Sequence, residues 1–331
     1  MPATIATAPA PPGVGFFSRP VSSRHLLGLE GMSRGEILEI LEAASRFRDL
    51  LDGPGVAGRD LEGVTVCNAF FENSTRTRVS FELAEKRLGA TAVSFSAVES
   101  STVKGETLLD TLKVIESMRV DLLVVRHPSS GAAAYLTRHL AAGVINAGDG
   151  QHEHPTQGLL DLLALRRAWS GRFEGRRFAI VGDIAHSRVA RSAIHGLRTL
   201  GVAVSVAGPP TLIPAGIEAL GVAVAPSVED ALHGADGAMA LRLQRERMEQ
   251  GLLASVSEYA RRWGVDARRA ELLDPGGVVL HPGPMNRGVE ISSEVADGPR
   301  SVIFGQVTDG VAVRCAVLGR CAAAIRREGG R

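Results

Sequence analysis

Apolar and polar positions along this chain change in blocks, not residue by residue. Short runs of β-branched and small apolar side chains, "VTVCNAFF" (64–71), "TAVSFS" (91–96), "DLLVVRHP" (121–128) and "GVINAGD" (143–149), are separated by stretches with helical spacing. A second series follows at "RFAIVGD" (177–183), "GVAVSVAG" (201–208), "GVAVAP" (221–226), "GAMALRL" (237–243) and "GVVLHPGP" (277–284). Runs that do not alternate are strands buried on both faces, and strands interleaved with helices pair in parallel. The pattern predicts an α/β fold of two doubly wound parallel-sheet lobes, with ligands in the cleft beyond the carboxyl ends of the strands. The break falls at "HEHPTQ" (152–157). The first lobe is expected over 1–154 together with a C-terminal helix, 309–331, that crosses back to it, and the second over 155–308.

Helix boundaries are written locally. Ser33 and Glu36 form a capping-box pattern that opens a helix running to about Leu51. Val79, Leu83 and Leu88, with Phe81 and Ala84 beside them, recur at helical spacing and stop at Gly89, a C′ glycine.

Composition narrows the function. The 331 residues are 45% hydrophobic, enough for two globular cores. With 37 basic against 36 acidic residues, and two Trp and two Tyr for stacking, the chain does not read as a nucleic-acid binder. Cys67, Cys315 and Cys321 show neither metal nor redox spacing, which fits the reducing cytoplasm. No apolar run reaches the roughly 18 residues of a membrane span. The start, "MPATIATAPAPPGVGFF", lacks a charged leader region and reads as a frayed tail.

Chemistry gathers where the strands end. After the first comes "NSTRTR" (73–78), a strand-to-helix turn in which free backbone N–H groups, Ser74, Thr75, Thr77, Arg76 and Arg78 all suit an anion. It is no P-loop, because the glycines and the Gly-Lys-Ser/Thr ending are absent. The plain alternative is a Ser/Thr cap followed by solvated arginines. Arg126-His127-Pro128 ends the third strand, and His152, His154 and Gln157 follow the fourth, with Pro155 placed as the first residue of a helix. A histidine at that N-cap can donate to an oxyanion or simply face solvent. Between the second strand and its helix lies the polar loop "VESSTVKGETLLD" (98–110), with Ser100, Ser101 and Lys104.

The second lobe repeats the habit. "AIVGDIAHSRVARS" (179–192) is a strand, a turn and a helix with Arg188 in its first turn, where a cation opposes the helix dipole and calls for an anionic partner. The layout raises a dinucleotide site, but "GDIAHS" lacks the second and third glycines of that fingerprint. "ALRLQRERM" (240–248) supplies Arg242, Gln244 and Arg247, and "VLHPGPMNRG" (279–288) supplies His281, Gly283, Pro284 and Arg287. Arginines at strand ends of both lobes point to a substrate that is anionic at both ends.

Ser74-Thr75-Arg76-Thr77-Arg78, Arg126-His127-Pro128 and His154-Pro155-Thr156-Gln157, in that order and spacing, resemble the carbamoyltransferase family, on its aspartate branch, over about Gly28 to Ala323. The resemblance implies transfer of the carbamoyl group of carbamoyl phosphate to the amine of L-aspartate, giving N-carbamoyl-L-aspartate and phosphate, a step of pyrimidine biosynthesis. It implies no cofactor and no metal. Ser74, Thr75, Arg76 and Thr77 would cradle the phosphate. Arg126, His154 and Gln157 would contact the carbamoyl group, Arg126 reaching phosphate as well. Lys104 and Ser100, with Ser101 the rival register, would cross from a neighbouring subunit. Arg188, Arg242 and Gln244 would bind aspartate beside backbone carbonyls of Gly283 and Pro284. Glu72 and Arg247 would act in domain closure with Arg188 as shared partner. Many relatives carry Leu before the second proline and Arg after it, where this chain has Gly283 and Met285.

The resemblance further implies a homotrimer with shared sites; a larger assembly with regulatory or dihydroorotase chains stays open. The nearest alternative is a carbamoyltransferase for ornithine or another acceptor, disfavoured because neither the Asp-x-x-x-Ser-Met-Gly segment nor the His-Cys-Leu-Pro loop of ornithine relatives occurs here. A nicotinamide dehydrogenase is disfavoured by the broken glycine pattern, and a non-catalytic anion-binding subunit by the presence of both His154 and Arg126.

Overall fold

The computed structural model describes residues 23–52, 58–96, 106–244 and 255–329. Helix α1 (Arg34–Asp52) precedes a first lobe made of β1 (Thr65–Phe70), α2 (Thr75–Arg87), β2 (Thr91–Ser96), α3 (Leu108–Ser117), β3 (Leu122–His127), α4 (Ala132–Leu136) and β4 (Gly143–Asp149). Helix α5 (Pro155–Ala168) leads into the second lobe. There β5 (Arg177–Val181), α6 (Arg188–Thr199), β6 (Ala203–Ala207), β7 (Ala223–Val224), α7 (Val228–Leu232) and β8 (Gly237–Ala240) are followed by α8 (Val256–Trp263), α9 (Ala267–Ala270), β9 (Val278–Leu280) and α10 (Ser293–Ala296). The long helix α11 (Ile303–Arg327) comes last and begins ahead of the expected position 309.

Both sheets are parallel throughout, in the orders β2-β1-β3-β4 and β7-β6-β5-β8-β9. The unbroken apolar runs follow from helices on both faces: all seven residues of β4 are buried, as are five of the six in β1. Helix α11 packs on α1, α2 and α5, and α5 also packs on α6, so one apolar core runs through both lobes, from Val66 and Val124 to Ile180 and Val206. Separate clusters cover the remaining faces of the second and first sheets.

Local signals hold where their partners lie within a few residues. The capping box is complete, with Ser33 N donating to Glu36 Oε2 at 3.1 Å and Glu36 N donating to Ser33 Oγ at 3.2 Å. Gly89 takes φ +76° past the end of α2, as a C′ glycine does. The apolar face of α2 differs from the expected stripe. Phe81, Ala84, Glu85 and Leu88 are its buried row, whereas Val79 and Leu83 are more than two-fifths exposed. The i, i+3, i+4, i+7 set therefore contains a glutamate, because Asn68 of β1 reaches across to bond it.

Asn68 Nδ2 donates to Glu85 Oε2 at 2.9 Å with both residues fully buried. Burial pushes the Glu85 carboxyl up to about 7, against the pull of the Asn68 bond; Glu82 adds to the rise and Lys86 opposes it. A carboxyl raised on folding favours the folded state below its unfolded value of 4.5 and loses that contribution as pH climbs through 7. Glu85→Gln, which keeps an acceptor for Asn68, should flatten the fall in unfolding free energy between pH 4.5 and 8 by on the order of 3 kcal/mol. Urea titrations at several pH values test this; an unchanged slope would show that Glu85 is ionised in the folded protein at no cost.

Candidate active site

Each sheet reverses its strand order once, at β1/β3 in the first and at β5/β8 in the second, and a doubly wound sheet opens a crevice where that happens. The two crevices face one cleft of about 760 Å³. Its polar groups come from the segments that leave those four strands, from α5, and from His281 after β9 with Gln306 and Arg314 of α11. Glu72 and the Ser74 turn follow β1, Arg126 ends β3, Arg188 follows β5, and Arg242 and Gln244 follow β8.

The turn after β1 is built to accept an anion. Ser74 is the N-cap of α2, yet its side chain makes no capping hydrogen bond. By contrast Ser187, Ser227, Ser255 and Ser292 each accept from the third residue of their own helices. The first N–H groups of α2 and the Ser74 hydroxyl thus remain available at the positive end of the helix dipole. Thr75, Arg76 and Thr77 line the cleft beside them.

Helix α5 enters the cleft with His154 as N-cap and Pro155 at its first position. The imidazole is buried and its Nδ1 has no hydrogen-bond partner in the protein. Burial, then Arg126, Arg188 and Arg314, push its pKa well below the usual histidine value, so the ring is neutral and one nitrogen carries a proton to donate. His154 is held through its backbone. Its N–H donates to Ser192 Oγ at 2.9 Å, and that hydroxyl donates to Glu153 Oε2 at 2.7 Å. Glu153 in turn accepts Leu29 N at 2.8 Å and Glu30 N at 3.0 Å, which ties the start of the chain to α6. Gln157 lines the cleft one turn along α5.

The anionic partner that Arg188 called for is Glu72, from the other lobe. Glu72 Oε1 accepts Arg188 Nη2 at 2.6 Å and Arg126 Nη2 at 2.8 Å, while its Oε2 accepts Arg188 Nη1 at 3.1 Å. Gly148, with φ +115° at the end of β4, leaves room there; a Cβ would lie 3.0 Å from both guanidinium groups. Arg76 and Arg242 face each other across the cleft, and burial, then Arg242, lower the Arg76 pKa. Guanidinium groups from both lobes at one cleft form a receptor for negative charge.

Gly283 adopts φ +63°, and a Cβ on it would collide with Arg76 Nη1. Glycine at this position suits the positive φ and lets the loop lie against the Arg76 guanidinium. Gly283 N donates to His281 Nδ1 at 2.8 Å, while His281 Nε2 meets Glu290 Oε1 at 3.2 Å, so His281 braces the loop. Arg287 points elsewhere, pairing with Asp297 at 2.7 and 2.8 Å on the surface.

All described residues of the expected site, Glu72, Ser74, Thr75, Arg76, Thr77, Arg126, His154, Gln157, Arg188, Arg242, Gln244, Gly283 and Pro284, thus line one cleft. Ser100, Ser101, Lys104 and Arg247 lie outside the described residues. Sequence reasoning missed Gln306 and Arg314, which line the cleft, and Asp161, which stands behind it. The only hint was Asp161 four residues after Gln157, on the same helical face. Among the described residues, Glu30, His152 and Glu153 group closely enough for a cation, but they lie away from the cleft lining and both Glu153 oxygens already accept backbone N–H groups.

Two parallel-sheet lobes gather arginines, an open helix N-terminus and a neutral histidine around one cleft, the class of site that takes negatively charged substrates. The chain belongs to the aspartate/ornithine carbamoyltransferase family. Residues 24–167 match the family's carbamoyl-phosphate binding domain and 174–321 its Asp/Orn binding domain. The aspartate carbamoyltransferase catalytic subunit of Gluconobacter oxydans is 56% identical over 304 residues, 91% of this chain and 96% of the relative. Aspartate transcarbamoylase from Trypanosoma cruzi, solved with N-(phosphonacetyl)-L-aspartic acid, is 31% identical with a TM-score of 0.82, covering 91% of this chain and 96% of that one. Ornithine carbamoyltransferase from Thermus thermophilus is 26% identical with a TM-score of 0.79, covering 90% and 98%.

Proposed function

We infer that this chain transfers the carbamoyl group of carbamoyl phosphate to the α-amine of L-aspartate, releasing N-carbamoyl-L-aspartate and phosphate. The observation that carries the reading is the pairing of Arg76 and Arg126 from the first lobe with Arg188 and Arg242 from the second around one neutral histidine. The amine attacks the carbonyl carbon, the new C–N bond forms, and the C–O bond to phosphorus breaks with its electron pair leaving on phosphate. The proton released by the amine passes to a phosphate oxygen, and no side chain is assigned as base. His154, Arg126 and Thr77 stabilise the carbonyl oxygen as it gains charge, and the open end of α2 with Arg76 and Arg126 holds the phosphate. Gln157 faces the carbamoyl amino group. Arg188, Arg242 and Gln244 take the carboxylates of aspartate beside Gly283 and Pro284.

The division of labour follows the lobes: residues to His154, with Gln157 of α5 and the end of α11, hold carbamoyl phosphate, and the rest of residues 155–308 hold aspartate. Lys104 and Ser100 complete the site of a neighbouring chain in a homotrimer, and Glu72 with Arg247 and Arg188 draws the lobes together. The enzyme works in the cytoplasm. The cationic partners of Glu72, Arg126 and Arg188, suit an acidic acceptor better than ornithine, whose side-chain cation would meet Arg242. Rates with aspartate, ornithine and other amines against carbamoyl phosphate test the acceptor; faster carbamoylation of ornithine than of aspartate would overturn it.

Arg242→Ala should raise the aspartate KM by about 10- to 100-fold, as loss of a charged hydrogen-bond partner does, and leave carbamoyl phosphate binding to the free enzyme within about threefold. Calorimetry with carbamoyl phosphate alone reads the second quantity; its abolition would contradict the division of substrates between lobes.

A further inference from the structure

Behind Gln157 stands a buried carboxyl that the reaction itself does not use. Asp161, one turn further along α5 and 2% exposed, accepts on Oδ1 from Gln157 Nε2 at 2.9 Å and from Gln306 Nε2 of α11 at 2.6 Å. Gln306 uses its other atom, Oε1, to accept His281 N at 3.1 Å. Asp161 Oδ2 has no hydrogen-bond partner in the protein. Arg314, buried in the cleft wall, bonds Gly310 O at 2.8 Å and stacks 5.0 Å over Phe81, and its charge bears on Asp161.

A glutamine amide is nearly symmetric in shape and opposite in chemistry at its two ends. Oδ1 of Asp161 receives two N–H groups, so it accepts from both amides whether or not a proton sits on Oδ2. Burial raises the Asp161 carboxyl to about 7, against the two amide bonds and Arg314; either protonation state leaves Oδ1 an acceptor. Gln157 must therefore turn its nitrogen inward and its oxygen toward the cleft. An oxygen there accepts from an acyl group bearing N–H and offers nothing to one bearing a methyl group of the same size.

We propose that Asp161 is a specificity-determining positioning residue: by fixing the amide of Gln157, it makes the site select carbamoyl phosphate over its methyl isostere, acetyl phosphate. Through Gln306 and the His281 backbone, the same oxygen also sets the loop that carries Gly283 and Pro284. The proposal rests on the reading that Gln157 faces the carbamoyl amino group. Without Asp161 the amide is free to rotate and to present its nitrogen, and discrimination falls while the anion-binding turn at Ser74 is untouched.

The test is the ratio of the acetyl phosphate inhibition constant to the carbamoyl phosphate KM, at saturating aspartate. Both constants refer to the same folded molecules, so a loss of folded fraction cancels. Asp161→Leu, which keeps the branched outline with more bulk and removes the acceptor, should lower the ratio by about tenfold, the size of one lost hydrogen bond. Asp161→Asn, whose Oδ1 can accept both amides, should keep the ratio within about threefold. If Asp161→Leu does not fold, Asp161→Ser takes its place, its hydroxyl being too short to reach Gln157. Gln157→Leu separates the two readings: a fall there with an unchanged ratio in Asp161→Leu or Asp161→Ser overturns the role of Asp161. An unchanged ratio in Gln157→Leu overturns the placement of the carbamoyl amino group itself. A fall in Asp161→Asn equal to that in Asp161→Leu would mean that the charge of Asp161 matters and its acceptor geometry does not.

Discussion

His154→Ala should lower turnover by about 100- to 1,000-fold while carbamoyl phosphate affinity changes by far less. The expected size is that of removing one donor from an oxyanion. The imidazole is neutral, buried and held by its backbone to Ser192, so it needs neither titration nor movement to donate. Charge builds on the carbonyl oxygen mainly in the transition state, which is why the loss belongs in kcat more than in binding. Arg76→Ala is the opposite case. Arg76 faces an anion present in the ground state, and its removal should weaken carbamoyl phosphate binding as well as turnover. Steady-state kinetics with direct binding of carbamoyl phosphate check both; a His154→Ala enzyme with normal kcat at saturation would remove His154 from the chemistry.

A mixture of two inactive variants should recover activity. Within the segment joining β2 to α3, the stretch "SSTVKGE" (100–106) is polar, with Val103 its one apolar residue. If Lys104 completes the neighbouring site in a cyclic trimer, each active centre combines His154 of one chain with Lys104 of another. Lys104→Ala and His154→Ala trimers should then each be nearly inactive. After reversible dissociation and mixing, every mixed ring holds one centre with both residues intact, so each mixed trimer should regain about a third of wild-type activity. Each variant exchanged against itself is the control. No recovery despite proven exchange would place Lys104 in its own chain's site or outside catalysis.

The parallel two-lobed fold was legible in the chain because burial on both faces removes alternation from the strands, and β4, buried at every position, is the extreme case. The capping box at Ser33, the C′ glycine at Gly89 and Pro155 at the start of α5 were equally legible, since each partner lies within four residues. Strand-end arginines marked the cleft because a topological switch point brings those ends together whatever the intervening helices contain. What the sequence by itself could not determine is pairing at long range. Glu72 joins Arg188 across 116 residues, and Gln306 joins Asp161 across 145; contacts of that kind leave no period in a one-dimensional pattern. Which face of α2 is buried was likewise decided by the tertiary structure, where Asn68 satisfies Glu85 and makes a charged residue tolerable in the core while Val79 and Leu83 stay outside. The same holds for the closeness of Gly283 to Arg76 of the other lobe, whose guanidinium lies where a Cβ on that residue would be. Short-range hydrogen bonds and periodic burial act on neighbours and are written locally, whereas charge pairing and steric exclusion act between segments that only the folded chain brings within a few ångströms.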